Sequence, residues 1–162
     1  MRTRVAAIED AEGMSRVLRE IIAATGRERP HDPCFVTRTY IANPAGVRCT
    51  VGVDDGGLVL GFQSLIRATD PNPYDVPEGW GIIGTHISPR ASRRGLGREL
   101  FSSSKEAAVE AGLTNIDAFI GADNRPALLF YDALGFRTYR EPPGIVQKVY
   151  RLQRQQPRCE QS

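Results

Sequence analysis

The run Arg93-Arg94-Gly95-Leu96-Gly97-Arg98 holds the residue types that bind a bulky anion. Its guanidinium groups supply fixed positive charge, and its glycines, lacking a Cβ, let a ligand approach the main chain. It follows a β-rich apolar stretch, Trp80 to Ile87, and a Ser88-Pro89 turn, and it leads into a helix. The first amides of a helix have no intrahelical acceptor and lie at the positive end of the helix dipole. Strand, glycine loop and helix start in that order make a phosphate cradle, sized for the pyrophosphate of a nucleotide-like ligand. A glycine–x–glycine loop with arginines is by itself more often an ordinary helix entry, so the surrounding elements decide.

Those elements can be read from periodicity and turn chemistry. Arg4 to Ile8 is a short apolar strand, and Asp10 is placed to cap the helix that follows. Met14, Val17, Leu18, Ile21 and Ile22 recur at helical spacing, with Arg16, Arg19 and Glu20 expected to face away, and Gly26 ends the helix. Phe35 to Ala42 is a second, short helix. Arg48 to Val53 and Leu58 to Ile66 are strands joined by Asp54-Asp55-Gly56-Gly57, a hairpin signal. Thr69 to Gly79, with three prolines, is an irregular connection. Trp80 to Ile87 is the next strand. A helix from Leu96 to Ala111 places Leu96, Leu100, Ala107 and Ala111 on one face. Ile116 to Ile120 is a buried strand. Arg125 to Leu134 is a helix with Pro126 in its first turn, where proline is tolerated. Phe136 to Tyr139 and Ile145 to Leu152 are the last strands. A strand–helix–strand unit in the middle demands a parallel pair, and the hairpins demand antiparallel ones.

The chain of 162 residues is long enough for one domain with a real core, expected over 1–152, and the polar stretch 153–162 is expected to be a disordered tail. Its 21 Lys plus Arg balance 19 Asp plus Glu to a net charge of +2, which gives no electrostatic case for nucleic acid or an anionic membrane as partner. No stretch approaches the roughly 18 apolar residues of a membrane span, and no signal-peptide pattern opens the chain. A cytoplasmic location is expected. Cys34, Cys49 and Cys159 are odd in number and widely spaced, which fits free thiols. With His31 and His86 the only histidines, no metal site is expected.

Two motifs now carry a resemblance. One runs from Ile87-Ser88-Pro89 to Arg93-Arg94-Gly95-Leu96-Gly97. The other is Asn124, Ala127, Tyr131, Gly135 and Phe136, in the pattern N-x-x-A-x-x-x-Y-x-x-x-G-F. The chain resembles the GNAT superfamily of acetyl-CoA-dependent N-acetyltransferases. ISPRASRRGLG together with IGADN looks most like the phosphinothricin and methionine-sulfoximine acetyltransferase branch. The loop departs from the family at Ser92, where an Arg or Gln is usual, and Ile82 stands where that branch tends to carry a Glu.

The resemblance implies an α/β (α+β) fold, a mixed, mainly antiparallel sheet with helices on both faces. It implies acetyl-CoA as cosubstrate, a small primary amine as acceptor, direct transfer without a metal, and a homodimer as a plausible assembly. Backbone groups near His86 and Ile87 would bind the pantetheine arm. Amides of Arg93, Arg94, Gly95, Leu96, Gly97 and Arg98 would hold the pyrophosphate, and Asn124 would reach the arm. Tyr131 takes the family's acid position, where a phenol stays protonated at neutral pH and can donate to the departing thiolate. The base stays open among His86, Glu78 acting through water, and Asp117, which serves equally as a structural acceptor. Two other functions remain open: acetylation of protein or peptide N-termini, and CoA binding without catalysis.

Overall fold

A computed structural model describes residues 1–152; the tail expected over 153–162 lies outside the described residues. Seven strands form one sheet: β1 (Arg2–Val5), β2 (Gly46–Val53), β3 (Val59–Arg67), β4 (Gly81–Ile87), β5 (Asn115–Gly121), β6 (Arg137–Arg140) and β7 (Ile145–Arg151). Their order is β1-β2-β3-β4-β5-β7-β6. Every neighbouring pair is antiparallel except β4 with β5. That parallel pair is joined through the helix Leu96–Glu110, as a crossover requires.

The helices are α1 (Ala11–Thr25), α2 (Pro33–Val36), α3 (Leu96–Glu110) and α4 (Arg125–Leu134). They cover both faces. On one, Met14, Val17 and Leu18 of α1 and Val36 of α2 pack on Val51 and Phe62. On the other, Phe101 and Ala108 of α3 and Tyr131 of α4 pack on Leu65, Ile83, Ile116 and Ala118. Alternation along β3 and β4 divides them accordingly: Phe62 and His86 belong to the α1 face, Gln63 and Thr85 to the α3 face.

Several expectations shift locally. The first strand is Arg2–Val5, not Arg4 to Ile8, and Ile8–Asp10 is a turn of 3₁₀ helix. Asp10 is the cause. Its carboxylate takes both Arg4 guanidinium nitrogens, at 2.8 and 2.9 Å, and the Ala7 amide, so it does not cap α1 with its side chain. Arg16 and Glu20 do not face away. They pair at 2.7 Å, half-buried, and Glu20 also accepts from Ser88 and meets Arg90, which ties α1 to the loop after β4. The helix expected over Phe35 to Ala42 is α2, begun early because Asp32 accepts from the Phe35 amide, followed by a π-helical turn over Thr37–Ile41.

Candidate active site

The parallel ladder between β4 and β5 is short. Gly81, Ile82 and Ile83 pair with Ile116, Asp117 and Ala118, and there pairing stops. Gly84 to Ile87 and Phe119 to Gly121 run on as strands with no ladder between them. Backbone donors and acceptors along a strand seek partners, so such a parting is a slot for an extended, amide-bearing ligand.

The glycine loop closes one end of the slot. Arg93 (φ 60°) and Gly95 (φ 80°) lie in the left-handed region, which turns the chain sharply into α3. Arg93, Arg94 and Arg98 are exposed and pair with no carboxylate among the described residues. Leu96 points into an apolar cluster with Leu60 and Leu100, so only its main chain is left for a ligand. Gly97 is small for a reason other than ligand access. A Cβ there would strike the Phe130 ring of α4 and come within 3.1 Å of Ile87. Its job is close packing of the α3 start against α4. Asn124 caps α4, accepting from the Ala127 amide at 3.4 Å, which leaves its side-chain NH₂ for another acceptor.

On the α3 face the slot is bordered by a chain of hydrogen bonds. Ser104 Oγ donates to Gln63 Oε1 (2.6 Å), Gln63 Nε2 donates to Thr85 Oγ1 (2.9 Å), and Thr85 Oγ1 meets the Tyr131 hydroxyl at 2.8 Å. Because Thr85 already accepts from Gln63, its own proton is free to go to Tyr131. The Tyr131 O–H is then available to a third group. Burial pushes this phenol up to about 12, so it is a neutral donor at working pH.

The α1 face is different. The His86 ring lies against Phe62 and Tyr40, and its Nδ1 accepts from Arg29 Nη1 at 3.2 Å. Burial, then the Arg29 charge, brings this imidazole down to about 3. With that basicity and with Nδ1 engaged, His86 fits a neutral donor through Nε2 and does not fit the base expected as one option; its backbone still borders the slot. Glu78 is exposed, at the paired end of β4 and away from the slot. Asp117 is fully buried. Its Oδ2 accepts from the Tyr139 hydroxyl and from Gln147 Nε2 (3.0 Å), while Oδ1 has no partner. Burial raises this carboxyl to about 6, the Tyr139 and Gln147 hydrogen bonds opposing. It stands one residue before the strands part.

Arg29, Tyr40, Gln63 and Thr85 were not singled out from sequence. Gln63 carried a signal, as the one amide in the apolar run Leu58 to Ile66, and Thr85 follows from Ile83 and Ile87 by alternation. Arg29 sits in an irregular loop with no periodicity to mark it.

A sheet split between its one parallel pair, with a glycine loop at the mouth and a buried phenol beside it, is the arrangement that the resemblance to acetyltransferases leads one to expect. Residues 15–136 match the acetyltransferase (GNAT) family, and the chain belongs to that family. A mycothiol acetyltransferase of Kocuria rhizophila is 28% identical over 97 residues, which span 60% of this chain and 31% of that protein. The chain thus spans about a third of the length of the curated relatives it matches. The fold is that of a GNAT superfamily phosphinothricin acetyltransferase from Sinorhizobium meliloti, solved in complex with acetyl-CoA (TM-score 0.75, 20% identity, covering 93% of this chain and 88% of that one). It is equally that of a GCN5-related N-acetyltransferase from Kribbella flavida (TM-score 0.75, 21% identity, covering 93% and 97%).

Proposed function

We propose that the protein transfers an acetyl group from acetyl-CoA directly to the primary amine of a small molecule. The observation that carries this reading is the slot: β4 and β5 part beyond Ile83, α3 begins at its mouth, and the Tyr131 hydroxyl reaches its wall through Thr85. The parted backbone suits the amides of a pantetheine arm, and the exposed amides and guanidiniums at the α3 start suit a pyrophosphate. The amine nitrogen attacks the thioester carbonyl, the C–S bond breaks, and the thiolate takes its proton from Tyr131. The proton lost by the amine passes through water to Asp117, whose free Oδ1 and raised pKa suit a base better than His86 does.

The test is a thiol-release screen with acetyl-CoA and a panel of amino acids, polyamines, aminoglycosides and methionine sulfoximine. Acceptor-dependent release together with an N-acetylated product in the mass spectrum is expected. Tight acetyl-CoA binding with no acceptor-dependent release from any of them would overturn the reading.

A further inference from the structure

Among the described residues, two buried side-chain atoms have no hydrogen-bond partner, and they are of opposite charge type: Oδ1 of Asp117 and Nε of Arg29. Asp117 is accounted for by the proposed chemistry. Arg29 is not. It lies in the loop between α1 and α2, half-buried, with Nη1 on His86 and Nη2 on the Tyr40 hydroxyl at 2.6 Å. Both partners are neutral, and none of the ion pairs among the described residues includes it. Arg140, by contrast, holds the Tyr74 and Asp75 carbonyls and the Asp75 carboxylate.

A guanidinium keeps its charge at any working pH, and a buried N–H left without an acceptor is costly. The Tyr40 hydroxyl accepts from Arg29 and finds no acceptor of its own among the described residues, so a second donor stands beside the first. His86, on the parted segment of β4, fixes the guanidinium on the α1 face of the slot. Tyr131 and the α3 start lie on the other side. We infer that Arg29, with Tyr40, is the subsite for an anionic group on the acceptor, and that the acceptor is an amine that also bears a carboxylate or comparable oxyanion. This rests on the acetyl-transfer reading for what the acceptor is, but the anion subsite itself is a binding property. Planar guanidinium against carboxylate gives paired, charge-assisted hydrogen bonds, which a lone hydroxyl or an ammonium does not.

The experiment titrates the CoA-bound protein with the proteinogenic amino acids and with their carboxamides by calorimetry, and runs the thiol-release assay on the same pairs. At least one acid is expected to bind about tenfold or more tightly than its amide, and Arg29→Gln is expected to erase that gap. Arg29→Lys should restore part of it, and Tyr40→Phe should lose a smaller part. Acids and amides binding alike, no binding by either, or a gap that survives Arg29→Gln would overturn the inference. So would a tenfold loss of acetyl-CoA affinity in Arg29→Gln, because the same guanidinium would then be serving a cofactor anion. Selective binding of acids with no thiol release leaves the subsite standing and removes the transferase reading. Thiol release from acids and amides alike does the reverse.

Discussion

The two faces of β4 carry polar groups in opposite states. Toward α3, Ser104, Gln63, Thr85 and Tyr131 form one line in which each hydrogen bond is made inside the protein. On the opposite side of the sheet, Arg29 beside β4 and Asp117 on β5 each keep a buried atom unpaired. A satisfied buried network holds a side chain in one orientation, whereas an unsatisfied one costs stability until something fills it. In the proposed reading the first face fixes the acid, and the second receives the acceptor. The proposal assigns the two reactants to opposite faces on the strength of that difference.

Removing the acid tests the satisfied face most directly. Tyr131→Phe should lower kcat by about 10²-fold or more, with little change in acetyl-CoA affinity. An unchanged kcat removes Tyr131 from the chemistry.

On the other face, Asp117→Asn should cost about tenfold to 10²-fold in kcat/KM at pH 7.5 and abolish an acid limb near pH 6. The stability sign is opposite. Burial raises this carboxyl from 3.8 to about 6, so the folded state holds a proton that the unfolded chain has released between those values. The fold loses stability as pH rises from about 4 to 6, by at most about 3 kcal/mol and less once partial hydration is counted. Asp117→Asn removes that loss, so its Tm at pH 7.5 should equal or exceed the parent's. A lower Tm with an intact pH profile would make Asp117 a structural residue.

Gln63→Leu cuts the line between Ser104 and Thr85. It should cost about 1–3 kcal/mol in denaturant unfolding, since a buried hydroxyl is left unpaired. It should also lower kcat several-fold, to the order of tenfold or less, while both KM values hold, because Tyr131 loses its orientation rather than its proton. A loss of stability with unchanged kcat would confine the line to folding. The smallest effect is expected outside both faces. Arg94 is exposed in the loop, so Arg94→Ala should weaken acetyl-CoA binding only a few-fold, on the order of threefold, and the difference should fade at high salt.

Much of this was readable in the chain. The strand–loop–helix around Gly95 and the spacing from Asn124 to Phe136 both follow from local rules, turn residues and helical period, which act within a few residues. The helices α1, α3 and α4 were placed on that basis, and the hairpin at Asp54 forms as expected, its carboxylate holding the Gly56 and Leu58 amides. Local rules failed where a distant partner took a side chain. Asp10 reads as a cap but is claimed by Arg4; Arg16 and Glu20 read as surface, but Glu20 is drawn in by Ser88 and Arg90 and Arg16 by Glu20 and the Val59 carbonyl.

The sequence thus determined the order of elements, the family motifs and the identity of the phenol, because each depends on neighbours close in the chain. Tertiary structure alone decided that β4 and β5 part after Ile83, and that Gly97 is small for the sake of Phe130. It also decided that His86 is bound by Arg29 and held uncharged, while Asp117 keeps a free oxygen. Those outcomes rest on burial and on partners many residues away, and no local pattern of residue types encodes how much water a carboxylate or an imidazole will keep.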